Sequence, residues 1–155
     1  MSQFLSTNRK TLLVALGILL VYFFALHNLT RYPAPWFDEG SHLHVPKTLA
    51  QYGEYADISS DGFRYYGPTI GVGPTVMLPI AAAFKIFGIG LLQARFVMAL
   101  YLLAACYIFF KLAEHLSGKA VAWVALALIL SSRSVLFLEY GRQLLGEVPG
   151  FFFLA

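Results

Sequence analysis

Two adjacent carboxylates, Asp38 and Glu39, follow Pro35-Trp36-Phe37 and precede Gly40-Ser41-His42. Aromatic side chains such as Trp36 settle at the headgroup level where a chain meets lipid. Two acids held there have a defined chemical use. One carboxylate can take a proton from an acceptor hydroxyl while its neighbour positions the acceptor or a cation. Apolar surroundings would raise such a group's pKa toward a working value. The plainer alternative has Asp38 as a helix N-cap with Glu39 in the first turn. Spacing alone favours that alternative, and both roles are compatible.

Other residues of interest lie further along. Arg133, Arg142 and Glu147 sit within or beside apolar stretches, where ionisable groups mark function by default. Arginine binds phosphate bidentately. Against this, an arginine can simply snorkel, or Arg142 can pair with Glu139. Arg95 and Lys85 read as ordinary interfacial anchors. His42 and His44 are two apart, with His27 upstream, so a divalent cation is possible. His-x-His suits a strand better than a helix, and no further ligands follow at a recognisable spacing, so a metal is the less favoured reading. Tyr65-Tyr66-Gly67-Pro68 reads as a turn with aromatic faces able to stack on a sugar or to line a membrane interface. Cys106 lies in an apolar stretch and reads as an inert thiol.

The elements that must position these groups are apolar. Of 155 residues, 59% are hydrophobic and 12% charged, and the mean hydropathy is +0.69. Soluble domains carry about 25% charged residues, so lipid is the expected solvent for much of this chain. The net charge of +3 is not gathered into a run, which argues against a nucleic-acid footprint.

Residues 11–29 hold no charge and reach the roughly 20 residues that span a bilayer. They exceed a signal-peptide core and lack a small-x-small cleavage site. Arg9 and Lys10 place the N-terminus in the cytoplasm. Residues 30–69 then form a long outer loop. Leu43, Leu49, Ala50 and Tyr52 suit an amphipathic helix that Gly53 ends, with a kink or restart at Pro46. Residues 70–91 are apolar but broken by Pro74, Pro79, glycines and Lys85, which favours an interfacial or re-entrant helix over a span. Spans are expected at 92–112 and 120–138, joined by a short connector at 113–119. A loop at 139–147 leads to a further apolar start at 148–155. If 70–91 does not span, the acidic loop and the 139–147 loop share the outer face. The expected fold class is therefore all-α integral membrane: N-terminal transmembrane helices, with a long outer loop carrying juxtamembrane helices over 30–91. The chain stops inside an apparent helix, so it reads as truncated.

The order of these features carries a resemblance. Pro-Trp-Phe-Asp-Glu-Gly-Ser-His follows the first helix, then come Leu49-Ala50-Gln51-Tyr52-Gly53 and Gly67-Pro68. An amphipathic stretch runs from Pro79 through Phe84-Lys85-Ile86-Phe87-Gly88. Gln93-Ala94-Arg95 opens one span, and Leu145-Gly146-Glu147-Val148-Pro149 opens another. This resembles the N-terminal region of the GT-C membrane glycosyltransferases, in the branch of the protein O-mannosyltransferases and the lipid A aminoarabinose transferase. The resemblance implies an enzyme that moves a sugar from a polyprenyl-phosphate carrier to a lipid, glycan or protein acceptor at the outer membrane face, as part of a longer protein; the lack of a cleavable signal fits a bacterial inner membrane or an equivalent compartment. It implies Asp38 as the base, Glu39 as its neighbour in the same motif, Glu147 as a second acid and Arg142 as a contact to the carrier phosphate. It also implies a juxtamembrane helix over 70–91. His42, Tyr65 and Tyr66 complete the expected substrate-binding set, although the His-x-His pair and Pro46 depart from the family pattern. The rival readings are a small non-catalytic membrane subunit or a transporter fragment.

Overall fold

The structure is a computed structural model that describes residues 12, 15–65, 67, 71–132 and 136–154. Helix α1, Ala15–Leu26, is apolar and ends in a π-helical turn, Tyr22–Leu26. The start of the expected 11–29 span lies outside the described residues. Its C-terminal end falls at Leu26, where His27 turns extended and its N–H reaches back to the Tyr22 carbonyl at 2.7 Å.

Two short helices follow, α2 (Phe37–His42) and α3 (His44–Tyr52). They meet at Leu43, which puts Pro46 in the first turn of α3, where its missing N–H costs no helical bond. The expected restart near Pro46 is therefore observed, two residues early. Gly53, at φ 78°, ends α3, because only glycine adopts that conformation without a Cβ penalty.

The expectation of an all-helical chain needs one correction. Strands β1 (Asp57–Ser59) and β2 (Gly62–Arg64) pair antiparallel, with Ile58 opposite Phe63. A Ser60-Asp61 turn closes them, and Gly62 supplies the positive φ of 102°. The Asp-Gly dipeptide is a hairpin signal that the apolar bias of the neighbouring segments obscures.

Helix α4, Pro74–Phe87, starts with proline at its first position and stops at Gly88. At 14 residues it measures roughly 21 Å, short of the roughly 30 Å hydrocarbon core. Helix α5, Leu91–Ser117, has 27 residues and is the one described helix long and apolar enough to cross a membrane. Gly118 alone separates it from α6, Lys119–Ser131, so the two must run back to back. Phe110 and Trp123 meet across the pair, with ring centroids 4.7 Å apart. Helix α6 has 13 residues, so the span expected over 120–138 is corrected. Ser131 turns its hydroxyl back to the Ala127 carbonyl at 2.7 Å, and Phe137–Tyr140 forms a separate short helix, α7. Helix α8, Glu147–Leu154, occupies the apolar start expected at 148–155.

The core is organised around α5. Ala94, Val97 and Met98 bury against Val76, Ile80 and Phe84 of α4 and against Leu144. Val76, Ile80 and Phe84 are each four apart, one stripe of a helix. One turn on, Ala99, Leu102 and Ala105 bury against Ala25, Phe137 and Val148. Small residues on α5 let α1 and α8 approach closely. The outer faces stay apolar: Leu16, Ile18, Leu19, Phe96, Leu100, Tyr107, Trp123 and Leu128 are all exposed.

Candidate site where two loops meet

The first helix ends with carbonyls that have no partner further along the helix. Arg142, from the turn after α7, supplies one. Its guanidinium donates to the Phe24 carbonyl at 3.3 Å and to the His27 carbonyl, a cation where the helix dipole favours one. It also lies 5.6 Å from the centroid of the Tyr32 ring. Arg142 is only 4% exposed, and burial, followed by repulsion from Arg95, pushes its pKa down. Its Nε has no partner, the one such buried side-chain atom among the described residues. The expected contact of Arg142 with a carrier phosphate is not what this geometry offers, because the charge is spent on the end of α1.

A second arginine does more. Arg95, in the second turn of α5, is fully buried. It forks onto Glu39, with Nε donating to Oε1 at 2.7 Å and Nη2 to Oε2 at 2.6 Å. Its remaining nitrogen, Nη1, donates to the Leu29 and Pro33 carbonyls, each at 2.7 Å. Glu39 Oε1 also accepts the Leu144 N–H at 3.1 Å. One buried ion pair thus ties α5, the segment after α1, helix α2 and the 141–146 turn together. The reading of Arg95 as an interfacial anchor is corrected. A charge this close to the start of an apolar helix can be drawn inward when a carboxylate is in reach. The reading of Glu39 as a group free to position an acceptor or cation is corrected too, since both its oxygens are occupied at 1% exposure.

Three further contacts close the same seam. Tyr32 donates its hydroxyl to Glu139 Oε1 at 2.7 Å. The Gln143 amide donates to the Ala34 carbonyl at 2.9 Å. His42 Nδ1 stands 2.9 Å from the Leu144 carbonyl. Behind them, a Cβ on Gly146 would sit 3.3 Å from Val72, and one on Gly71 would overlap Met77. The approach of 71–73 to both loops therefore depends on small residues.

Asp38 is what this seam leaves in the open. It lies in the first turn of α2, is exposed, and accepts the Trp36 indole N–H at 3.2 Å. It makes no N-cap: Trp36 occupies that position, without a side-chain capping bond. Asp38 and His42 are four apart on α2 and so share a face. Glu147 is exposed in the first turn of α8, three residues beyond Leu144. Tyr65 lies elsewhere, on the hairpin, where it donates to Glu54 Oε2 at 2.8 Å and sits beside Phe63, which in turn meets Tyr52. Tyr66 and Arg133 lie outside the described residues. His44 does not join His42; it pairs with Asp57 at 3.2 Å on the surface. Among the described residues no three His, Cys, Asp or Glu side chains converge to hold a metal ion.

Sequence reasoning singled out Asp38 and expected the two loops to share a face, and the structure brings those loops into contact. The same reasoning missed the role of Arg95, although the signal was present: an arginine near the start of an apolar helix, followed by 18 residues with no acid before Glu114. Compared with family models, curated proteins and solved structures, the chain matches none.

Proposed function

We propose that this protein is a multi-pass membrane glycosyltransferase of the GT-C kind, which moves a sugar from a polyprenyl-phosphate carrier to an acceptor hydroxyl at the outer membrane face. In this reading α5 crosses the bilayer unaided, whereas α1 and α6, each shorter than α4, complete their crossings with the residues that flank them; the N-terminus is cytoplasmic and α4, bounded by Gly73 and Gly88, lies along the outer surface. The support for embedding is the exposed apolar surface of α1, α5 and α6, which only lipid solvates without cost.

The observation that carries the reading is the contrast between the two adjacent acids. Glu39 is locked by Arg95, and the locked segment holds Asp38 exposed beside the seam of two loops. A base must be free to meet its proton, and its backbone must be fixed. Asp38 meets both conditions and is the group that takes the proton of the acceptor hydroxyl. Glu39, Arg95 and Arg142 are positioning residues. Glu147 offers a second exposed carboxylate near the same seam. His42 holds the seam closed through Leu144.

The test is Asp38→Asn in the complete protein. Release of polyprenyl phosphate from a polyprenyl-phosphate-linked sugar should fall to background, while the protein stays in the membrane fraction. Transfer at the wild-type rate would remove Asp38 as the base. Should no sugar donor be consumed by the wild type, a non-catalytic membrane subunit becomes the better reading, with the seam as pure scaffold.

A further inference from the structure

Two cavities share Leu130 and Leu138 in their walls. The larger, about 380 Å³, lies between α1, α5 and α6, with Gly17, Val21, Phe24, Leu103, Cys106 and Trp123 in its wall. Among the described residues no charged side chain lines it. The smaller, about 110 Å³, shares Leu130 and Leu138 and adds Tyr32, Ser131 and Glu139. An apolar groove thus lies next to a polar pocket. We infer that this groove binds one acyl chain of a membrane phospholipid with an ammonium-bearing head, the chain between the helices and the head at Glu139. The inference rests on the membrane reading above and is independent of sugar transfer.

Volume selects the occupant. A single helical turn, about 10–12 Å across and 5.4 Å long, fills roughly 400–600 Å³. The larger cavity is smaller than that, yet it follows α1 from Gly17 to Phe24, about two turns. A thin chain fits such a shape along its length. A methylene takes about the 30 Å³ share of a water molecule, so the space holds on the order of a dozen. That is most of one acyl chain and far less than a long polyprenyl tail. The chemistry of the polar pocket selects the head. The Glu139 carboxylate, flanked by the Tyr32 and Ser131 hydroxyls, offers acceptors to an ammonium group. A Cβ on Gly17 would meet no atom within 4 Å, so open space lies beside it in the groove.

Native mass spectrometry of detergent-purified protein, given equal amounts of phosphatidylethanolamine and phosphatidylglycerol, tests this. One phosphatidylethanolamine should remain per protein. Gly17→Phe, which fills the groove from a helical position, should lower occupancy by about tenfold or more. Val21→Phe should do the same from the next turn, which guards against a fault peculiar to position 17. Leu19→Phe, on an exposed residue outside the groove, should change nothing. Glu139→Gln should retain lipid but bind both heads equally. Wild-type protein without lipid, undiminished lipid in both filled variants, equal retention of the two heads by the wild type, or a polyprenyl phosphate found instead would each overturn the inference. Protein that dissolves without detergent would overturn the membrane reading itself, whereas protein that needs detergent yet holds no lipid would overturn only this proposal.

Discussion

The seam between residues 27–43 and 139–146 and the hairpin at 57–64 are both polar, turn-rich stretches, yet they are held in opposite ways. The seam is fixed by groups removed from water: Arg95 and Glu39 are buried, and their bonds reach four separate segments. The hairpin is fixed by groups in water: Arg64 with Asp61 at 2.9 Å and Tyr65 with Glu54 are both exposed. Identical residue types therefore carry different weight. A charge pair in water is screened and entropically costly to order, while one out of water cannot lose a partner cheaply. The seam is where a catalytic group can be held still, and the hairpin can change without disturbing it.

The sharpest way to break this comparison is to remove one charge from the seam. Glu39→Gln leaves Arg95 buried without a counter-ion, which costs about 3–5 kcal/mol. Thermal unfolding in detergent should show a large fall in midpoint, and Asp38→Asn, one residue away, should show almost none. Equal midpoints for the two variants would mean the pair does not hold the seam. The double variant Glu39→Leu/Arg95→Met sharpens the point. A buried pair can often be replaced by apolar groups without loss, but here the Leu29 and Pro33 carbonyls and the Leu144 N–H would all lose partners. Recovery should therefore be partial.

A smaller effect is expected at Gly141, where the turn after α7 meets α5. A Cβ there would stand 2.6–3.0 Å from the Leu102 side chain. Leu102 is itself fully buried against Ala25, Phe137 and Val148, so it has little room to give. Gly141→Ala should cost about 1–3 kcal/mol, read as a lower midpoint in the same unfolding experiment. On the proposed function it should also lower sugar transfer, because Arg142 and Gln143 follow directly.

How much of this was legible in the sequence depends on range. Helix ends were readable wherever the signal was local: Gly53, Gly88 and Gly118 each end a helix with positive φ, and Pro46 and Pro74 fall in first turns, where they cost little, although Pro79 lies inside α4. A non-spanning helix within 70–91 was expected from its composition, but α5, Leu91–Ser117, runs through most of the connector expected at 113–119, because its polar last turn has helix-forming residues that hydropathy does not count. The end of α6 at Ser131 was misread because apolar residues continue beyond it, and hydropathy alone does not register a break made by serines. The site divides in the same way. Asp38 stood out through its neighbours, but the partner of Glu39 lies 56 positions away, and no spacing rule links them. Nor did residue type separate two adjacent acids, one of which is buried and the other exposed.

The smallest effects belong to the hairpin. Arg64→Ala removes an exposed ion pair and should shift stability by no more than about 0.5 kcal/mol. Tyr65 gives a finer probe, because its contact with Glu54 depends on pH. The hydrogen bond to Glu54, helped by partial desolvation and by the glutamate charge, raises the Tyr65 pKa above the ordinary 10.0. The phenol form is thus the one that the folded hairpin favours. Its contribution is complete below the unfolded value and is lost as pH rises through the higher folded value. A spectrophotometric tyrosinate titration, taken as wild type minus Tyr65→Phe, isolates this group and should show a midpoint above 10.0. Glu54→Gln should bring that midpoint back toward the ordinary value. If the difference curve falls at the ordinary value in both, the contact does not persist in solution, and the hairpin is held by its backbone and by Phe63 alone.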